Sequence, residues 1–162
     1  MSEIQTQARK VIETATAARI GITTAESCTG GLIGAALTDV PGASSVFEGG
    51  LITYSNDAKH GLLGVPEDML ETHGAVSAPV AEAMAQGAIT EMEGRAGIAV
   101  AVTGIAGPGG GTAEKPVGLV WFGIATPDKA WSEKQVFDDK GRDYIREETV
   151  KHALQLLLDN LA

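Results

Sequence analysis

The run AGIAVAVTG, residues 96–104, carries no polar side chain until Thr103. A strand with one wet face alternates apolar and polar residues. A strand with none must be covered on both faces, which is how a central strand reads when helices lie above and below its sheet. This run therefore asks for a layered α/β architecture in which the rest of the chain supplies helices to both sides.

The flanking sequence provides them. Ile4, Ala8, Val11, Ile12 and Ala15 recur at helical spacing and predict an amphipathic helix of about four turns. IGITTAES, from Ile20, reads as a short strand and GGLIGAAL after it as a helix, a strand–turn–helix unit. PGASS is a turn, and VFEGGLITYS a strand interrupted at Gly49 and Gly50. Three helical pieces follow: one over 57–63, one whose Pro66, Glu67 and Asp68 suit a first turn, and one after Ser77 and Pro79 with Val80, Met84, Gly87 and Ala88 on one face. VGLVWFGIAT and AWSEKQVFD, joined at Pro127 and Asp128, predict an antiparallel hairpin, and residues 142–161 a final helix with Val150, Ala153, Leu154, Leu157 and Leu161 inward. The predicted fold is a three-layer α/β/α sandwich around a mixed, mostly parallel sheet with a late antiparallel hairpin. At 162 residues one core and one domain over 1–162 are expected, and with 4% aromatic residues Ala, Val, Ile and Leu must build that core.

Charge narrows the partners. A net charge of −9 opposes nucleic-acid binding, which needs Lys and Arg in number, yet leaves room for one small phosphate held by one or two cations. No run approaches the roughly 18 apolar residues of a membrane span, and residues 1–20 lack the apolar stretch of a signal peptide. With a single cysteine, Cys28, no intramolecular disulfide can form, and a cytoplasmic location is expected.

Candidate chemistry begins at TTAESCTGGLIGAAL, residues 23–37. Ser27 falls where a strand ends and a helix begins, near unpaired amides and the positive end of the helix dipole. Thr29, Gly30 and Gly31 would present bare amides as an oxyanion hole. A helix-capping Ser or Thr followed by a Gly-Gly turn fits the same residues and stays open beside the nucleophile. Of the three histidines that could serve as a base, His152 on the final helix and His73 before Gly74 read as structural, whereas His60 follows TYSNDAK. There Tyr54, Asn56 and Lys59 gather at a strand end, and a buried Lys59 with a lowered pKa is an alternative base.

The third cluster is VTGIAGPGGGTAEKPVG after the central strand. Its backbone can wrap an anion or ribose, but it lacks the Gly-Lys-Ser/Thr of a P-loop and the G-x-G-x-x-G spacing, so nucleoside triphosphate and NAD binding are disfavoured; a mobile loop is the plainer alternative. No metal-ligand spacing occurs, and neither metal nor cofactor is expected; FDDKGRD reads as an acidic turn. Arg142, opening the final helix, is able to clamp a phosphate or carboxylate.

Taken together, AESCTGG, GGLITYSNDAKHGLLGVP, HGAVS, VTGIAGPGGGTAEKPVGLVW and a late GRD closely resemble the CinA C-terminal domain family, in order from about Ile4 to Leu161. The amino-terminal domain of longer CinA proteins has no counterpart in the sequence, and the resemblance implies a stand-alone nicotinamide mononucleotide deamidase. Such an enzyme hydrolyses the carboxamide to nicotinic acid mononucleotide and ammonia, recycling pyridine nucleotide. Carried over by position, the resemblance makes Ser27 the nucleophile and Tyr54 and Lys59 its activating partners. Thr103 and the backbone of Gly104, Ile105, Ala106 and Gly107 would border the substrate, with Arg142 on its phosphate. A homodimer is implied as well. Two other readings stand beside this one: a non-catalytic nucleotide-binding module acting through a partner, and thiol chemistry at Cys28, where a helix N-terminus would favour thiolate.

Overall fold

The computed structural model describes residues 1–161. Helix α1 (Glu3–Ala18) leads to strand β1 (Ile22–Glu26), helix α2 (Leu32–Thr38), a short 3-10 turn (Ala43–Ser45) and strand β2 (Phe47–Ile52). Helices α3 (Asn56–Leu63), α4 (Glu67–His73) and α5 (Ala78–Glu91) precede β3 (Ile98–Gly104). Strands β4 (Leu119–Ala125) and β5 (Ala130–Val136) and helix α6 (Arg142–Leu161) complete the fold. α1 starts with a capping box in which Ser2 and Gln5 satisfy each other's backbone amides, and ends at Arg19 in the left-handed region.

The sheet order is β2-β1-β3-β4-β5. β1 runs parallel to both β2 and β3, whereas β4 is antiparallel to both β3 and β5, so β4 alone runs against the other strands. The expected mixed sheet and late hairpin are both present; the long Gly-rich loop before β4 makes a second antiparallel connection. The register of β1 on β2 skips Glu48, beside the Gly49–Gly50 pair that suggested an irregular strand.

β3 is buried at every position from Ile98 to Thr103, as its unbroken apolar sequence requires. Its pleat sorts residues by size. Ile98, Val100 and Val102 face α1, α2 and α6, packing with Val11, Ile33 and Leu154; Ala99 and Ala101 face α5, packing with Val80, Met84 and Ala88. Full burial of each large side chain contributes about 1.5–3 kcal/mol, so the first face carries most of the hydrophobic stabilisation. The second face works by close approach. A Cβ on Gly123 would lie 2.0 Å from the carbonyl oxygen of Ala81, and one on Gly87 2.1 Å from that of Leu63, so α5 fits only because both positions lack side chains.

Topology then fixes where a site can form. From β1 the chain crosses through α2 to β2 on one side, then returns through α3, α4 and α5 to β3 on the other side of β1. Connections diverge at the C-terminal ends of β1 and β3, and the crevice left there is where open α/β sheets bind ligands. No described helix is long and apolar enough to cross a membrane.

Candidate active site

At the end of β1, Ser27 continues the ladder by donating its amide to the Val102 carbonyl (3.1 Å), and its own carbonyl accepts from the Gly30 amide (3.1 Å). The chain then reverses through Gly30 (φ 58°) and Gly31 (φ 106°), consecutive left-handed residues that favour glycine. A Cβ on Gly31 would also come within 2.9 Å of the Ile52 side chain.

The amides at the start of α2 are not left open. The Glu26 carboxylate, 1% exposed, accepts from the Thr29 hydroxyl (2.6 Å) and from the amides of Gly31 (3.2 Å), Ile33 (2.9 Å) and Gly34 (3.0 Å). A buried carboxylate so surrounded is compensated, and it caps the helix from the preceding strand. Of the three amides expected to form an oxyanion hole at Thr29, Gly30 and Gly31, only that of Thr29 has no hydrogen-bond partner among the described residues. Gly30 and Gly31 spend their amides on Ser27 and Glu26, and the Thr29 side chain is turned to Glu26, because the nearest negative charge takes the helix end first. Ser27 is not the cap either, since Glu26 fills that role.

Ser27 instead meets Lys59. Ser55 caps α3 by accepting from the Ala58 amide, and this sets the phase that turns Lys59 inward to 1% exposure. The Lys59 Nζ donates to Ser27 Oγ (2.9 Å) and to the carbonyls of Thr53 (3.0 Å) and Tyr54 (3.2 Å). Among the described residues it has no carboxylate partner. Burial holds its pKa below the ordinary 10.5, the direction that favours free amine.

A pocket of about 250 Å³ opens over this pair, lined by Cys28, Asn56, Ala75, Val76, Thr103, Gly104, Ala106, Tyr54 and Arg142 as well as Ser27 and Lys59. Thr103, buried at the end of β3, donates its hydroxyl to the Ala75 carbonyl (3.0 Å) and so fixes the opposite wall. Arg142 spans the mouth, donating to the Gly107 carbonyl (2.9 Å) and the Tyr54 hydroxyl (3.1 Å). Tyr54 is 63% exposed; its phenol belongs to Arg142, and only its backbone carbonyl touches Lys59. Ile105, expected to border the substrate, is not among the residues that line this pocket. Its amide donates to the Leu119 carbonyl (2.9 Å) and its carbonyl accepts from the Gly118 amide (2.8 Å), since the chain extends the β3–β4 pairing before it turns. The Gly-rich loop is anchored rather than free, by Arg142 at Gly107 and by Lys115 Nζ donating to the His73 carbonyl (2.6 Å).

The histidines lie elsewhere. His60 Nδ1 sits 2.8 Å from the Val65 carbonyl and its Nε2 3.4 Å from Glu67, while His152 pairs with Glu133 (3.0 Å) against Phe122. Cys28 lines the pocket, but burial pushes its thiol up to about 12, which removes the thiolate that chemistry there would need. Sequence reasoning missed two residues near Ser27. One is Glu26, adjacent to Ser27. The other is Arg146, whose Nε donates to the Cys28 carbonyl (3.1 Å) and whose second terminal nitrogen reaches the Thr29 carbonyl (3.3 Å). The signal for Arg146 was its place one helical turn after Arg142.

Comparison with known proteins follows the same lines. The CinA C-terminal domain model matches residues 4–161, and the chain belongs to that family. It is 44% identical over 156 residues to a protein of Escherichia coli K12 named nicotinamide-nucleotide amidohydrolase PncC, covering 96% of this chain and 93% of that one. It is 54% identical over 136 residues to a CinA-like protein of Akkermansia muciniphila, covering 84% of this chain and 32% of that one. The chain spans about a third of the length of several such curated relatives. The crystal structure of a competence/damage inducible protein, CihA, from Agrobacterium tumefaciens matches with a TM-score of 0.94 at 47% identity, covering 98% of this chain and 96% of that one.

Proposed function

We propose that this chain is a nicotinamide-nucleotide amidohydrolase that uses Ser27 as its nucleophile and Lys59 as the base. The 2.9 Å contact between Ser27 Oγ and the buried Lys59 Nζ carries this reading, and the 44% identity to PncC supplies the substrate class. A neutral amine has two N–H groups and one lone pair. The carbonyls of Thr53 and Tyr54 take the two hydrogens, leaving the lone pair for the Ser27 proton.

Ser27 Oγ then bonds to the carboxamide carbon. Of the amides from Cys28 to Gly34, those of Gly30, Gly31, Leu32, Ile33 and Gly34 are engaged internally, which leaves Cys28 and Thr29 to meet the developing oxyanion. As the tetrahedral intermediate collapses, the C–N bond breaks and the nitrogen leaves as ammonia with the proton held by Lys59. Water, deprotonated by the same amine, cleaves the ester to release nicotinic acid mononucleotide and restore Ser27. Arg142 lines the pocket and has N–H groups beyond those given to Gly107 and Tyr54, which supports its assignment to the substrate phosphate.

The test is ammonia release from nicotinamide mononucleotide by purified wild type and Ser27→Ala, with and without chelator. Turnover by wild type, lost in Ser27→Ala and unchanged by chelator, is expected. A folded wild type that binds the mononucleotide but releases no ammonia would favour a binding module.

A further inference from the structure

We infer that Glu26 and Arg146 are a matched pair of positioning residues that hold the Ser27–Gly31 turn from opposite polarities. Between them they set the place of Ser27 Oγ against Lys59. The inference rests on the hydrolase reading for its kinetics but not for its geometry.

Neither side chain lines the pocket over Ser27, so neither is offered as a catalytic residue. Glu26 takes donors: the Thr29 hydroxyl and the amides of Gly31, Ile33 and Gly34. Arg146 takes acceptors: the carbonyls of Cys28 and Thr29, at 3.1 and 3.3 Å. The turn's own backbone bonds run from Ser27 to Val102, Gly30 to Ser27 and Leu32 to Thr29, which leaves the peptide between Cys28 and Thr29, ahead of two left-handed glycines, to be oriented by these side chains. Thr29 is held by both partners at once, by its hydroxyl to Glu26 and its carbonyl to Arg146.

Glu26 also changes what the start of α2 does. Its charge sits on the amides that would otherwise direct a positive potential toward the nucleophile. Activation of Ser27 is therefore left to Lys59, and the helix serves as a mount. Arg146 links this mount to α6, the helix that also carries Arg142 at the pocket mouth, so one rigid element sets both the nucleophile turn and the proposed phosphate anchor.

The experiment compares wild type, Glu26→Gln, Arg146→Met and the double variant. Glu26→Gln keeps the side-chain length but sets an amide N–H₂ against a backbone N–H that the carboxylate now accepts. Each single variant is expected to lower kcat by about 100-fold, the cost of roughly 1 Å of misplacement, with KM within about twofold. The double variant should be no worse than about threefold below the poorer single, because both bonds hold one turn. A fold-supporting pair would instead show additive losses, and kcat unchanged in folded single variants would overturn the inference. Should Glu26→Gln fail to fold, Arg146→Lys, which keeps the charge and loses the two-carbonyl grip, reads the same effect.

A second readout does not depend on the substrate. Phosphonylation of Ser27 by a small fluorophosphonate, followed by intact mass with Ser27→Ala as the blank, should slow in the same variants in step with kcat. If wild type is labelled at Ser27 but does not hydrolyse nicotinamide mononucleotide, the hydrolase reading fails while the labelling rates still decide the positioning. Equal labelling rates in wild type and variants would contradict it.

Discussion

Lys59 Nζ lies 2.9 Å from Ser27 Oγ across 32 residues of sequence, and both side chains are buried. The contact exists because β1 and β2 are parallel neighbours. The Thr53 amide donates to the Glu26 carbonyl (2.8 Å), so the chain leaving β2 passes the residue before Ser27 and enters α3 with Lys59 facing it. A dyad is thereby built from two strand ends, with a carbonyl cradle on the lysine side and a carboxylate-capped turn on the serine side.

Lys59→Met is expected to lower kcat by about 10²–10⁴-fold, the range for a lost general acid–base group, with the fold retained. Ammonia release under saturating mononucleotide measures it. Activity of wild type should rise with pH along a limb whose midpoint lies below the ordinary lysine value of 10.5, since burial favours the free amine that the reaction needs.

The same group links stability to pH. With the folded pKa of Lys59 below 10.5, the unfolded state binds more protons between the two values. Its contribution to stability is full above 10.5 and is lost as pH falls through the folded pKa. The stability difference between wild type and Lys59→Met should therefore grow in favour of wild type as pH rises toward 10.5. Urea unfolding across pH checks the sign.

Cys28 titrates the other way. Its thiol is raised from 9.0 to about 12 by burial, so its contribution is present below pH 9 and lost as pH rises toward 12. Cys28→Ala should keep kcat within about twofold and remove that alkaline loss, at a cost of about 1 kcal/mol for the small cavity. Denaturant titration at pH 8 and pH 10.5, alongside ammonia release, measures both.

Arg142→Met is expected to raise KM for the mononucleotide by about 10–100-fold, the equivalent of charge-assisted hydrogen bonds to one phosphate. Turnover of the riboside, which has no phosphate, should change far less. Steady-state kinetics on the two substrates separate a phosphate anchor from a structural clasp between Tyr54 and Gly107.

Gly87→Ala tests the packing that presents Lys59. The new Cβ would fall 2.1 Å from the Leu63 carbonyl at the end of α3, so the α3–α5 contact must open. A loss of about 1–3 kcal/mol is expected from overpacking, together with a lower kcat because α3 carries Lys59. Urea midpoints and turnover report the two effects.

Much of the fold was legible because hydrophobic period is a local property: the unbroken apolar run of β3 announced helices on both faces, and the five inward residues named for α6 are all buried. The site was legible only in part. Spacing brought Ser27, Tyr54 and Lys59 forward as residue types at strand ends, and the structure brings Ser27 and Lys59 together. It could not show that Glu26 would take the amides offered by the Gly-Gly turn, because competition for a helix end depends on which carboxylate the strand delivers there. Nor could it show that the Tyr54 phenol would turn to Arg142, a partner 88 residues away. Ile105 looked like part of a substrate loop because its pairing with Leu119 and Gly118 arises only once β4 returns alongside β3.

The most direct measurement is intact mass of the protein quenched in acid during turnover of nicotinamide mononucleotide. The account predicts a mass increase on wild type equal to the mononucleotide less ammonia, mapped to the peptide carrying Ser27 and absent from Ser27→Ala. Ammonia released by wild type with no such adduct, and released as well by Ser27→Ala, would contradict it.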